Sequence, residues 1–114
     1  MSKRLVEKIR EEIKRYLSEI LEYEARDPRL ESITVMDVRL SSDLHHATVY
    51  VSALGGEQDE AIMVLREHRG FFRSELAKRL KLRHTPELHF EPDPAERHAR
   101  RIDELLKEEG ERQP

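Results

Sequence analysis

The sequence predicts an α+β domain in two layers, with element order α-β-β-α-α-β plus a C-terminal helix, and with the helices packed on one face of a three-stranded sheet. Three observations carry this expectation. Residues 5–21 hold one apolar stripe at helical spacing. Residues 33–41 and 46–53 alternate apolar and polar side chains, are rich in β-branched types and are joined by a polar turn. Residues 58–83 read as two helical pieces separated near a glycine, and a short extended run follows Pro86. The connection from the second strand to that third run is long enough for a parallel pair, and the handedness of such crossovers then puts both helical pieces on one sheet face.

Leu5, Val6, Ile9, Ile13, Tyr16, Leu17, Ile20 and Leu21 fall within an arc of about 160° on a helix, opposite Glu7, Glu11, Lys14, Ser18 and Glu22. Pro28 restricts Asp27 to extended geometry and ends that helix in a turn. Period-2 alternation places Met36, Val38 and Leu40 on one face of the first strand and Ala47, Val49 and Val51 on one face of the second. Ser41-Ser42-Asp43-Leu44-His45 is short enough for an antiparallel hairpin. Gly55-Gly56 breaks the second strand, and Ala61, Ile62 and Leu65 give a short helix over 58–67. A second helix follows at once with Phe72, Leu76 and Leu80 as its stripe, ending before Thr85-Pro86. Glu87-Leu88-His89-Phe90 is the third strand. Asp93-Pro94-Ala95-Glu96 then has an acidic N-cap, a proline at the first helical position and a capping-box glutamate, leading to Ala99, Ile102, Leu105 and Leu106.

At 114 residues the chain fits one domain with one core. With 37% hydrophobic and 39% charged residues, no apolar run approaches the ~18 residues that a membrane span needs, so no membrane partner is expected. Residues 1–12 alternate charge with apolar side chains and carry neither the apolar run nor the cleavage site of a signal peptide, so the expected location is cytoplasmic. Cysteine is absent, which excludes disulfides, a thiolate nucleophile and cysteine-ligated zinc.

Charge is unevenly distributed. Residues 66–83 contain seven Lys or Arg against two carboxylates, a local charge of +5 in a chain whose net charge is −3. A basic patch on an acidic protein is the expected footprint of a phosphate-rich partner, against the plainer reading of a solvated helix face. The candidate RNA-binding residues are Arg69, Gly70, Arg73, Lys78, Arg79, Lys81 and Arg83, with His68, Arg69 and Gly70 forming the helix kink. Phe71 lies about 100° around the helix from Phe72; packing against a neighbouring element is preferred over base stacking. His45-His46 suggests a metal, but neighbours on a strand point to opposite faces and no HxxxH or cysteine is nearby, so no metal site and no cofactor are expected. Asp27, Asp37 and Asp43 read as cap, exposed strand face and turn. Nothing supports an enzyme: Gly55-Gly56 lacks a following GK[ST], and no serine sits in a nucleophile elbow.

The element order, with a helix-break-helix between strands two and three, resembles a type II KH domain. Particular strings resemble the bacterial ribosome-binding factor A family: Asp27-Pro28-Arg29-Leu30; Val38-Arg39-Leu40-Ser41-Ser42-Asp43-Leu44 with Ala47-Thr48-Val49-Tyr50-Val51; Gly70-Phe71-Phe72-Arg73; Leu80-Lys81-Leu82-Arg83-His84-Thr85-Pro86-Glu87-Leu88; and Arg101-Ile102-Asp103-Glu104-Leu105-Leu106. The resemblance covers about residues 5–106 in the right order. That family lacks the GxxG loop of KH domains and carries Ala-x-Gly at the helix kink; this chain has His68-Arg69-Gly70, with Gly70 expected to hold the kink's special backbone position. Residues 108–114 hold no apolar side chain and are expected to be disordered, and the resemblance implies one KH-like ribosome-binding domain over 1–107. It implies a monomeric, non-enzymatic assembly factor that binds the 30S subunit late in its maturation, near the 5′ region of 16S rRNA, with a role in cold adaptation. A general single-strand nucleic-acid module of KH type and a protein adaptor using the same basic face stay open as alternatives.

Overall fold

The computed structural model describes residues 2–56, 58–95 and 105–106, and its first element is α1 (Lys3–Tyr23), longer by two residues at each end than the predicted stripe. The Ser2 hydroxyl caps it by accepting from the Leu5 N–H at 3.2 Å. Ile9, Ile13, Leu17 and Ile20 are buried, whereas Leu5 at the outer end of the stripe is exposed. Asp27 then caps a single 3₁₀ turn, Pro28–Leu30, with Pro28 at its first position, and Leu30 drops into the core.

β1 (Ile33–Leu40) pairs antiparallel with β2 (His46–Ala53), from Ile33↔Ala53 to Leu40↔Ala47. The register shifts between Val35 and Asp37, and this bulge corrects one expectation. Met36 does not share the inward face with Val38; it is 43% exposed, while Val35 and Val38 are buried. One extra residue in the strand reverses the alternation at that point, which no period-2 count can anticipate. The hairpin turn is held as its composition suggested. Ser41 Oγ donates to Asp43 Oδ1 (2.6 Å), and Asp43 Oδ1 also accepts from the His45 N–H (3.0 Å).

β3 (Glu87–Pro92) lies parallel to β2, with Leu88 beside Ala47 and Phe90 beside Val49, giving the order β1-β2-β3. α2 (Gln58–Glu67) and α3 (Arg69–Arg79) form the crossover and share one sheet face with α1. The core between the layers holds Val38, Val49, Val51, Leu65, Phe72, Leu76, Leu88 and Phe90, with the Phe72 and Phe90 rings edge to face at 5.7 Å. Gln58 is the buried polar residue of this layer, and its amide donates to the Val51 carbonyl (3.3 Å). The α+β class, the element order and the one-sided packing are therefore as expected.

Two details of the crossover differ from expectation. The break between α2 and α3 is made by His68 alone, at φ −104° and ψ 18°. An L-residue reaches that bridge conformation without glycine. Gly70 is the second residue of α3 and has no positive φ; among the described residues the positive-φ glycine is Gly55, at 76°. Gly70 thus holds no special backbone position. Secondly, α3 stops at Arg79: Leu80 turns extended (ψ 135°) while staying buried, so that Lys81 and Arg83 sit on the connection rather than on the helix. Of the predicted C-terminal helix, Pro94, Ala95, Leu105 and Leu106 are helical; its remainder and the tail over 108–114 lie outside the described residues.

Candidate nucleic-acid interface

α3 turns Phe72 and Leu76 inward, and this fixes what its outer side presents. Gly70, Ser74 and Ala77 recur at i, i+4 and i+7, so three small residues lie one above another on one exposed face. They floor a shallow groove of about 450 Å³ whose walls are Arg73, Arg83, His84 and Thr85. A Cβ added at Gly70 would meet nothing within 4 Å, so the floor is open to an approaching chain. The structure therefore gathers three predicted residues, Gly70, Arg73 and Arg83, around one concavity.

The other candidates are disposed differently. Arg69 opens α3 on the side facing β3, beside Arg66, His89 and Glu91. Lys81 is exposed on the connection, and among the described residues neither Arg69, Lys81 nor Arg83 has an ion-pair partner. Lys78 pairs with Glu75 (2.9 Å), and Arg79 donates both to the Glu75 carbonyl (2.8 Å) and to its carboxylate (3.2 Å). Those two cations hold the Glu75 carboxyl below the usual glutamate range, Lys78 contributing most. Arg66 is likewise engaged, with two bonds to the Phe90 carbonyl and one to Glu91. Of the seven cations counted in the sequence, then, three are bound to acidic neighbours. The other four, Arg69, Arg73, Lys81 and Arg83, are exposed and make no ion pair among the described residues.

A second and larger concavity, about 520 Å³, lies beside the helix break and is lined by Ala25, Pro28, Leu30, His68, Phe71 and Phe72, with Glu24 and Asp27 among its rim residues. Phe71 is 40% exposed and meets Phe72 edge to face at 5.3 Å, combining the packing role expected of it with partial exposure. Asp27 accepts from the Arg29 side chain (2.6 and 3.0 Å) and backbone (3.0 Å), and these bonds lower its carboxyl to about 2. The rim of this hollow carries charges of both signs, Glu24 and Asp27 beside Arg26, with Asp27 already paired to Arg29, so it lacks the net positive charge that draws a polyanion. The Gly70 groove, by contrast, has a floor of small residues and positive charge on its walls. Ser74, Ala77, His84 and Thr85 belong to it and were not anticipated; the i, i+4, i+7 spacing of small residues was the available signal.

Helices in this order on one side of a mixed three-stranded sheet, with a cationic groove on the second helix of the crossover and no GxxG, define a KH-like domain of the type II order. A family model described as Ribosome-binding factor A matches residues 5–106. Ribosome-binding factor A of Natranaerobius thermophilus is 45% identical over 104 residues, covering 90% of this chain and 79% of the relative. The crystal structure of ribosome-binding factor A from Thermus thermophilus superposes with a TM-score of 0.68 at 34% identity, covering 74% of this chain and 91% of that one. Thermus thermophilus coordinates fitted into a cryo-electron-microscopy map of a 30S complex with that factor give 0.65 at 35% identity, covering 75% and 91%. The chain belongs to the ribosome-binding factor A family. Among the described residues no helix is long and apolar enough to cross a membrane.

Proposed function

We propose that this protein binds the free 30S ribosomal subunit through the Gly70 groove, and that in doing so it assists late maturation of the subunit and processing of the 16S rRNA 5′ end. The observation that carries the reading is the coincidence, on an acidic chain, of a small-residue floor with cations that make no ion pair among the described residues. A floor of Gly70, Ser74 and Ala77 lets a sugar-phosphate backbone come close to α3. Arg73 and Arg83 on the walls then neutralise phosphates and release their counterions, which supplies affinity without reading sequence. Specificity for one ribosomal site follows from the shape of the folded RNA rather than from base edges. Family membership supports the reading, as does the 30S complex of the Thermus thermophilus relative.

The test is co-sedimentation of the labelled protein with free 30S, 50S and 70S particles, paired with 16S 5′-end mapping in cells depleted of the protein at low temperature. Enrichment on 30S and accumulation of unprocessed precursor are expected. Equal sedimentation with 30S and 70S, together with normal 5′ ends, would instead favour a general single-strand module.

A further inference from the structure

The sheet face turned away from the helices carries a second cluster that the RNA groove does not use. His46 and Glu87 are direct register partners at the start of the parallel pair, and His89 lies one step further along β3 on the same face as Glu87. His46 Nδ1 stands 3.0 Å from His89 Nε2 and 3.5 Å from Glu87 Oε2. One ligand atom from each of the three lies within 4.8 Å of the others. From these distances we infer that His46, Glu87 and His89 form a binding site for a divalent transition metal, Zn²⁺ by its donor set.

The geometry can be checked against what zinc requires. Two nitrogens bound at ~2.1 Å in a tetrahedron are separated by about 3.4 Å. The separations from His46 Nδ1 to both partners fall within a few tenths of an ångström of that value. Glu87 is half exposed and its side chain is free to close the remaining gap. As the chain stands, the two facing ring nitrogens share one hydrogen, so one imidazole donates and the other accepts. A metal ion takes the place of that hydrogen, binding His46 through Nδ1 and His89 through Nε2, while the Glu87 carboxylate offsets part of its charge. Two imidazoles and a carboxylate suit Zn²⁺ and leave a fourth position for water. Such an ion ties the start of β3 to β2 across the parallel pair, where Ala47 and Leu88 are buried on the opposite face.

The experiment is titration of the metal-stripped, tag-free full chain with Zn²⁺ by calorimetry, with Co²⁺ as a spectroscopic stand-in. One Zn²⁺ per chain and a tetrahedral Co²⁺ spectrum are expected. His46→Ala and His89→Ala should each weaken Zn²⁺ binding at least about tenfold. Glu87→Gln, which keeps shape and exposure, should also weaken it, so a folding defect at either histidine does not remove the test. His45→Ala and His84→Ala are controls, because these two rings stack on each other 6.2 Å apart outside the cluster, and they should leave affinity unchanged. Zn²⁺ affinity that persists in a folded His46→Ala/His89→Ala variant, or no saturable binding up to about 0.1 mM Zn²⁺, would overturn the assignment.

Discussion

Arg73 donates twice to one acceptor: its Nε and Nη2 lie 3.2 and 2.9 Å from the carbonyl oxygen of Thr85. The bond fastens α3 to the connection that leads into β3, and so sets the spacing between the groove's floor and the wall that carries Arg83 and His84. A carbonyl is neutral, so the guanidinium keeps its full charge for a phosphate. Arg73→Lys should retain that charge while losing the paired geometry. We expect a loss of about 1 kcal/mol in stability from the broken hydrogen bonds, read from the denaturation midpoint, with the salt dependence of RNA binding nearly unchanged. Arg73→Ala should lose both.

Gly70 separates backbone necessity from ligand access. Since it sits inside α3 with open space where a Cβ would stand, Gly70→Ala should raise stability by about 0.5–1 kcal/mol through helix propensity and reduced unfolded-state freedom. The same methyl group narrows the groove floor. Thermal unfolding and subunit affinity should therefore move in opposite directions; a more stable variant that binds as well as the parent shows that RNA does not approach α3 at Gly70.

Glu75 pairs with both Lys78 and Arg79 and offsets their charge, and its removal should make them available to phosphates. Glu75→Gln is expected to tighten RNA binding and to steepen the plot of log K against log salt by about 1 to 2, since one or two further cations become available to phosphates. An unchanged slope places both residues outside the interface.

Asp27 gives a pH signature independent of RNA. Its carboxyl is lowered to about 2, chiefly by the side-chain hydrogen bonds from Arg29. The folded value lies below the unfolded one, so the stabilisation is fully present above about pH 4 and is lost as pH falls through about 2. The carboxyl carbon resonance of Asp27 should titrate with a midpoint near 2, and Arg29→Ala should move that midpoint up toward the ordinary aspartate value.

How far the sequence could carry these conclusions depended on the range of each interaction. The stripe of Ile9, Ile13, Leu17 and Ile20 and the alternation of Ala47, Val49 and Val51 are local patterns, and both were legible because periodicity alone decides which side is buried. The bulge beside Met36 was not, because it exists only against the register of β2. The end of α3 was hidden too: Leu80 continues the helical spacing, and leaves the helix because the chain must cross from the helical layer to the sheet with that side chain still buried. At the site, charge density located the segment, and the spacing of Glu75 from Lys78 and Arg79 was a local helical signal, whereas the pairing of Arg66 with Glu91 on β3 exists only in the folded chain. His46 and His89 stand 43 positions apart and meet through parallel pairing, so a search along one strand could not join them.

The most direct test of the central claim is the affinity of a Lys81→Glu/Arg83→Glu variant for free 30S subunits. Both side chains are exposed and neither has an ion-pair partner among the described residues, so the domain should fold as before. If the Gly70 groove and its connection meet ribosomal phosphates, binding should fall roughly 10-fold or more, at about 1.4 kcal/mol per decade, and the salt dependence should become shallower. A folded double variant that binds 30S with unchanged affinity and unchanged salt slope would contradict the placement of the interface.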